Sequence, residues 1–350
     1  DIASQKRARL RGRTWSTPIF GDFVMRDVKT NKVIDRKKKV RILNLPKITK
    51  RYSYIVDGTG YQADHQMRLK SGVYARKKAN GQLEAQVNLS KGRGFRMDFD
   101  PQKRKFTLKY GTSNVPLFPV LRAMGVSEDQ ITSSWGSTLS AATKKSGRAG
   151  TAIRLAKLLD KNAAPETDEE AAEVIQRVYG ETELGGDVTK VTLGKEFNKV
   201  DGDALLATAN KLLAVAKGTA TVDNREALRF KEIWSIEDHI PERITNSKRR
   251  IMRKLVNNLD RREDIRSVIT SDIFNVPTKA FFTSSALAQQ SNQTNPMDII
   301  GGFLRTTIMG TGGIQSEQAI GFSAKLNDSS QLGFIDPVHT PEGSKSGIST

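Results

Sequence analysis

The sequence predicts an α+β fold from three observations: a strand-rich, strongly basic first third, a change to helical periodicity after Pro116, and a glycine-dense stretch from Gly310 onward. With 350 residues the chain is long enough for two or three domains and for a core that needs no covalent staples. In the first third, residues 93–100 (RGFRMDFD) and 105–110 (KFTLKY) are short, aromatic and partly alternating, the pattern of half-buried antiparallel strands. Asn80-Gly81, between 74–78 and 82–89, signals a hairpin closed by a type I′ turn. Thr167-Asp168-Glu169-Glu170 reads as a capping box opening a helix to Tyr179, because the hydroxyl and the Glu carboxylate can satisfy each other's backbone donors. Residues 203–217 (DALLATANKLLAVAK) read as an amphipathic helix ended by Gly218, and residues 224–306 as mainly helical, with a Lys- and Arg-rich stretch at 247–262. Beyond Gly310 the glycines and prolines are too closely spaced for long helices. No internal repeat or low-complexity linker interrupts this order.

Charge narrows the function class. Lys and Arg total 57 against 38 Asp and Glu, a formal charge of +19, so a polyanionic partner is the first expectation. Residues 1–110 hold 28 basic and 9 acidic side chains and therefore carry the whole excess. Three clusters supply it: Lys6, Arg7, Arg9, Arg11 and Arg13; Arg36, Lys37, Lys38 and Lys39 with Arg41; and Lys103, Arg104 and Lys105. Solvated strand faces and a mobile basic tail would explain any one cluster; the set together points to phosphate contact with a salt-dependent affinity. The acidic stretch 160–187 is expected to face away from nucleic acid or toward a basic protein.

Other classes drop out. With no cysteine there are no disulfides, thiolate zinc sites, thiol nucleophiles or iron–sulfur clusters. No apolar run approaches the roughly 20 residues of a membrane span, and no signal-peptide core is present, so a soluble intracellular protein is expected. Asp rather than Met at position 1 suggests a processed chain or a piece of a longer one. His65, His239 and His339 are isolated and read as structural rather than as metal ligands. Asp98 and Asp100 share a strand face and fit either a cation site or, with Pro101 following, a strand-end turn. Gly310-Thr311-Gly312-Gly313 lacks the Gly-Lys-Ser and preceding strand of a phosphate loop, and Ser137, Ser284 and Ser285 have no base beside them. No self-contained active site emerges. Two polar segments stand out instead: 284–295 (SSALAQQSNQTN), whose amides suit nucleic-acid backbone or base edges as well as loop closure, and the rigid turn Thr340-Pro341-Glu342-Gly343 with Lys345.

At these segments the sequence resembles the β subunit of multisubunit DNA-directed RNA polymerase. Ser284-Ser285-Ala286-Leu287-Ala288-Gln289, Asn295-Pro296, Gly310-Thr311-Gly312-Gly313 and Thr340-Pro341-Glu342-Gly343 match that family's rifamycin-pocket and fork run in order and near-correct spacing. Residues 44–61, 91–103, 115–131 and 184–197, Asp238-His239-Ile240, Asp272-Ile273, Asn275 and Phe281-Phe282 extend the likeness over nearly all of 15–350. The resemblance implies an antiparallel, strand-rich protrusion (1–68) with an inserted mixed α/β lobe (69–222). A mainly helical return of the protrusion (223–290) and a Gly-rich fork and rifamycin-pocket region (291–350), incomplete at its C-terminus, would follow.

The implied function is to hold DNA and the RNA–DNA hybrid beside the active centre of a nucleotidyltransferase. Mg²⁺ would be bound by a partner subunit, with no catalytic residue in this chain. The implied partners are a β′-like subunit, the C-terminal part of β if the subunit is split, and α-like or sigma-like factors, together with template DNA and nascent RNA, and no membrane. The short lobe fits a compact, divergent or split β of the phage-encoded kind, located in the bacterial cytoplasm, an infected cell or a virion. Position by position, Gln289, Asn292 and Arg305 fall in the wall beside the growing RNA, and Glu317 falls at the fork. Glu342 and Lys345 fall near the RNA 3′ end, Asp223 and Arg229 at the return from lobe to protrusion, and Lys91 and Arg93 in the lobe strand pair. Departures from the family pattern in the pocket are Asn292 for Asp, Gly302 for His and Thr307 for Ser, so poor rifamycin binding is expected; His339 for Glu and Lys345 for Asn depart at the turn and bear on the RNA contacts instead. The competing reading is a stand-alone basic nucleic-acid-binding module; a nucleotide-binding enzyme built on Gly310–Gly313 lacks the Lys and carboxylate it would need.

Overall fold

The computed structural model describes residues 1–147, 150–262, 264–291 and 295–350. The chain forms two compact units, one of residues 1–68 with 232–350 and one of residues 69–231.

The 69–231 unit is built on five antiparallel strands in sequential order: Gly72–Lys77, Leu83–Asn88, Phe95–Asp100, Lys105–Tyr110 and Ser113–Pro116. Strict alternation puts Ala75, Ala85, Met97 and Leu108 on one face, where each is almost fully buried. Helices cover that face through Leu121, Ile131, Leu155, Ile175 and Leu205. The expected hairpin is present, but its turn is not type I′. Only Gly81 takes a positive φ, and its N–H donates to Lys78 O at 3.0 Å, whereas type I′ needs two left-handed residues. Thr167 caps the helix Asp168–Gly180 by accepting from Glu170 N, but the Glu170 carboxylate accepts from Glu166 N rather than from the cap residue, so the box is only half formed.

Residues 223–231 pack with this unit, which moves the second chain crossing from 222/223 to 231/232. The reason is local. Asp223 exchanges hydrogen bonds with the Ala75 backbone and pairs with Lys211 at 3.3 Å, Arg225 donates to Gln86, and Phe230 packs edge-on to Tyr74.

In the 1–68/232–350 unit, Ser16–Arg26 and Val33–Pro46 form a long two-stranded ribbon. A small sheet runs Ala288–Gln290, Thr59–Ala63, Tyr54–Val56, and a second runs Lys231–Trp234, His65–Leu69, Thr306–Thr307. Tyr54, Val56, Phe281, Phe282 and Leu287 make the apolar core between the first sheet and the helix Asp272–Ser284. The first basic cluster is not a mobile tail: Ile2–Leu10 is a helix, capped by Asp1 and tied down where Trp15 Nε1 donates to Ser4 Oγ at 3.1 Å. The 224–306 block is mainly helical from Ile236 onward, interrupted by the short strand Ala288–Gln290, and the strand Lys231–Trp234 precedes its first α-helix. After Gly310 the described chain holds only single 3₁₀ turns, because its glycines and prolines break every longer period. No helix among the described residues is long and apolar enough to cross a membrane.

Candidate functional site

The strands Thr59–Ala63 and His65–Leu69, with Asp64 between them, carry polar side chains at alternate positions, Gln62, Asp64, Gln66 and Arg68. Such a row ordinarily faces water, yet none of these four residues is more than 7% exposed. Burial on this scale requires partners, because each unpaired polar group costs about 1–3 kcal/mol. Most of the partners lie more than two hundred residues away in sequence, in the polar and Gly-rich segments near the C-terminus; Glu242, 174 residues from Arg68, completes them.

Gln62 Nε2 donates to Ile299 O at 2.6 Å, fixing the helix Pro296–Leu304. A Cβ at Gly302 would stand 2.8 Å from Gln62 Oε1, which gives a physical reason for glycine where the polymerase pattern has histidine. Gln289 lies opposite Gln62 in the sheet and donates through Nε2 to Asp64 Oδ2 at 2.8 Å. Gln66 Nε2 donates to Met309 O at 2.7 Å. Arg68 does most. Its Nη atoms both reach Glu242 at 2.8 Å, its Nε donates to Gln66 Oε1 at 2.6 Å, and Nη2 also donates to Thr311 O at 2.7 Å. The guanidinium stacks over Trp234 with Cζ 3.7 Å from the ring centre.

This packing explains the glycine run. Gly312 has a φ of +85°, and a Cβ there would meet the Arg68 guanidinium at 2.3–2.5 Å; one at Gly313 would meet Ile308 O at 2.5 Å and Gln66 Nε2 at 2.7 Å. The 310–313 loop is glycine-rich because it lies directly on two buried side chains, which is a different purpose from a phosphate loop.

The electrostatics follow from the same burial. Desolvation pushes the Asp64 carboxyl up to about 6, against the hydrogen bond from Gln289 and the charges of Arg305 and Lys345. Its Oδ1 has no hydrogen-bond partner among the described residues. His239, stacked on Phe281 at 5.6 Å, is pushed down to about 4 by burial and then by the nearby Arg68 charge, so it is neutral at pH 7 and leaves the guanidinium unopposed.

A cavity of about 800 Å³ opens over the Gln62–Asp64 end of this row. Gln62, Asp64, Gln289, Arg305, His339 and Thr340 give it polar walls, and Met297, Ile300 and Phe334 apolar ones. Thr340 closes the final loop by donating to Ser349 O at 2.8 Å and accepting from Gly347 N at 3.0 Å.

Gln289 and Arg305 therefore come together on one cavity, and Lys345 is near enough to act on Asp64. Glu342 is exposed at the start of the turn Gly343–Lys345, and Glu317 begins the turn Glu317–Ala319. Asn292 lies outside the described residues. In the other unit, the Asp223 carboxylate is occupied by Ala75 N and Lys211, and burial raises its pKa. Arg229 is exposed over Phe230; Lys91 stands 3.9 Å from Glu183, and Arg93 is exposed. Asp98 is no cation site. It is ion-paired to Lys78 and Lys109, whose ammonium groups outweigh burial and hold its pKa below the usual range. Asp100 caps the Pro101 turn by accepting from Gln102 N and Lys103 N. Sequence reasoning passed over Gln62, Asp64, Gln66, Arg68, Glu242 and Trp234; the only signal was the polar alternation at 62–68, which reads as surface.

Comparison with known proteins agrees with the resemblance seen in the motifs. Residues 289–350 match the family model described as RNA polymerase Rpb2, domain 3. The chain is 23% identical to the DNA-directed RNA polymerase subunit beta of Chaetosphaeridium globosum, over 99% of its own length and 35% of that protein. It is 26% identical to the same subunit of Pyropia yezoensis over 89% of its length and 30% of that protein, and 24% identical to that of Synechocystis sp. over 99% and 33%. These likenesses bear out the β-subunit assignment of the motifs, at low identity. The chain spans about a third of the length of the curated relatives it matches.

Proposed function

We propose that this chain is a structural segment of the β-type subunit of a multisubunit DNA-directed RNA polymerase, holding DNA and the RNA–DNA hybrid beside an active centre completed by other chains. The observation that carries this reading is the Gln62–Arg68 row, which gathers Gln289 and the 296–304 and 309–313 segments, all within the family match, onto one rigid support. Gln289 and Arg305, on one cavity, would meet nascent-strand backbone there, with Lys345, Glu317 and Glu342 on turns of the C-terminal segment and Asn292 as a further candidate contact. Lys91, Arg93, Asp223 and Arg229 are the candidate contacts of the 69–231 unit, with Asp223 acting through the loop it anchors.

Nucleotidyl transfer at such a centre uses Mg²⁺, which supplies charge stabilisation for the transferring phosphoryl group. The acid-rich spot on this chain does not fit that ion: Glu84 and Asp98 face each other across two strands but are already neutralised by Lys78, Lys109, Arg76 and Arg96. Among the described residues no group of three His, Asp or Glu is placed to hold a metal. On the motif resemblance, the proposal leaves Mg²⁺ to a β′-like partner, with α-like or sigma-like factors and a separate C-terminal β part as further partners, and a divergent phage-type or split β as the kind of subunit.

Co-expression of the tagged chain with its operon neighbours, followed by mass spectrometry and a Mg²⁺-dependent RNA-synthesis assay, tests this. Recovery with a β′-like chain and activity only in the complex is the expected result. A lone monomer that binds nucleic acid and joins no polymerase chain would overturn the reading in favour of a stand-alone module. Rifamycin should inhibit the assembled enzyme poorly, since Gly302 leaves the pocket without its usual imidazole and Asp64 places a buried carboxylate in the wall; a normal inhibition curve would contradict that.

A further inference from the structure

The helix Lys248–Leu259 (KRRIMRKLVNNL) carries five cations and no carboxylate. Ile251 is buried and Leu255 and Asn258 are half-buried, so one side of the helix faces the fold, with Asn258 donating to Val268 O at 2.9 Å. Lys248, Arg249, Arg250, Arg253 and Lys254 are all exposed, and among the described residues none of them forms an ion pair. Arg249 with Arg253, and Arg250 with Lys254, are like charges one turn apart, and three of the five cations sit in the first turn, where the helix dipole is already positive. Each arrangement works against the helix in isolation, so an external anion is the natural compensation.

A second basic segment, distant in sequence, joins this one. Lys37, inside the run Arg36–Lys39 of the ribbon, lies 3.4 Å from Asp264, and Ile265 N donates to Asp35 Oδ2 at 3.1 Å. The turn following the cationic helix is thus pinned beside the ribbon's basic run, where Arg36, Lys38 and Lys39 are exposed.

We propose that this helix and the adjoining ribbon run form a docking face for the phosphate backbone of a nucleic-acid strand. The face is distinct from the cavity and from every residue the motif resemblance singles out, and it rests on charge and exposure alone rather than on the polymerase reading. Recognition is by point charge and is therefore independent of base sequence. The exposed Met252 and Val256, each about half accessible, flank the cations and offer apolar surface to sugars.

The test is fluorescence anisotropy of the full chain with a short labelled random-sequence DNA duplex, between about 50 and 200 mM salt. Each lost phosphate contact lowers the slope of log affinity against log salt by about 0.9, so Arg249→Gln/Arg253→Gln should reduce it by about 1.8 and weaken binding roughly tenfold. Arg249→Lys/Arg253→Lys should keep the parental slope. The same number of cations removed elsewhere, as the exposed pair Lys199→Gln/Lys217→Gln, should change the slope by less than half as much. An unchanged slope in the Arg249/Arg253 Gln pair, with parental thermal unfolding, would overturn the proposal. So would an equal loss in the 199/217 control, or binding to phosphatidylserine vesicles with none to DNA. Whether the chain assembles with polymerase subunits is scored separately and bears only on the preceding section.

Discussion

Each unit buries a cluster of charged and polar side chains, and the two clusters serve different ends. In the 69–231 unit, Glu84 and Asp98 are cross-strand neighbours held by Lys78 at 2.7 Å from each, with every partner on adjacent strands of one sheet. In the other unit, Arg68 and Gln66 end on the main-chain carbonyls of Thr311 and Met309, in a loop with no regular structure of its own. The first cluster closes on itself and reinforces a sheet that already has a large apolar core. The second spends its hydrogen bonds on positioning a remote loop, beside a much smaller core. A buried charge whose partners are local is part of the fold; one whose partners are distant loop carbonyls shapes a site.

The sharpest way to break this comparison is to remove one cation from each cluster. Lys78→Met leaves two facing carboxylates buried and should cost about 3–5 kcal/mol by denaturant unfolding. Arg68→Met strands Glu242 and frees Thr311 O, and should cost about 3 kcal/mol, less because Glu242 is partly accessible. Equal, negligible losses would contradict both halves.

A second contrast lies within the site, between two groups of opposite sign. His239 titrates near 6.5 when unfolded and about 4 when folded, so its contribution is complete above 6.5 and is lost as pH falls toward 4. Asp64 goes from 3.8 to about 6, so its contribution is complete below 3.8 and is lost as pH rises through 6. Each amounts to about 3 kcal/mol across its window, and in the parent chain they oppose. Asp64→Asn should therefore expose a loss of stability between pH 6.5 and 4, and His239→Phe a gain over nearly the same range. Melting curves at several pH values decide it; parallel pH profiles in both variants would show that neither group titrates as described.

A smaller effect is expected at the loop itself. Gly312→Ala meets both a positive φ and the guanidinium and should cost about 2 kcal/mol. In Arg68→Met only the φ strain remains, so the two substitutions should be less than additive in a double-mutant cycle. Strict additivity would mean that loop and guanidinium do not touch.

Much of the fold was legible because it obeys local rules. The 74–89 hairpin, the strands at 93–100 and 105–110 and the helix ended by Gly218 follow from alternation, turn residues and caps. The turn type at Asn80-Gly81 was misread because one left-handed glycine suffices there. The site was only half legible. Motif order pointed to Gln289, Arg305 and the Gly310–Gly313 loop, but the row that holds them was hidden, since polar alternation at 62–68 is the ordinary signature of a solvent-facing strand. Only the structure shows water replaced by carbonyls from residues 299, 309 and 311. That residues 223–231 pack with the 69–222 stretch was hidden for a similar reason: the Asp223 carboxylate accepts from Ala75 N, a partner far off in sequence.

The central claim, that the buried 62–68 row positions the Gly-rich loop, is tested most directly by amide hydrogen exchange at Gly310, Gly313 and Ile314, whose N–H groups bond within the loop to Ile314 O, Gly310 O and Ile308 O. Arg68→Met should speed exchange at these three amides, while Lys78→Met should leave them at parental rates. Unchanged exchange in Arg68→Met, or equal acceleration in both variants, would contradict the account.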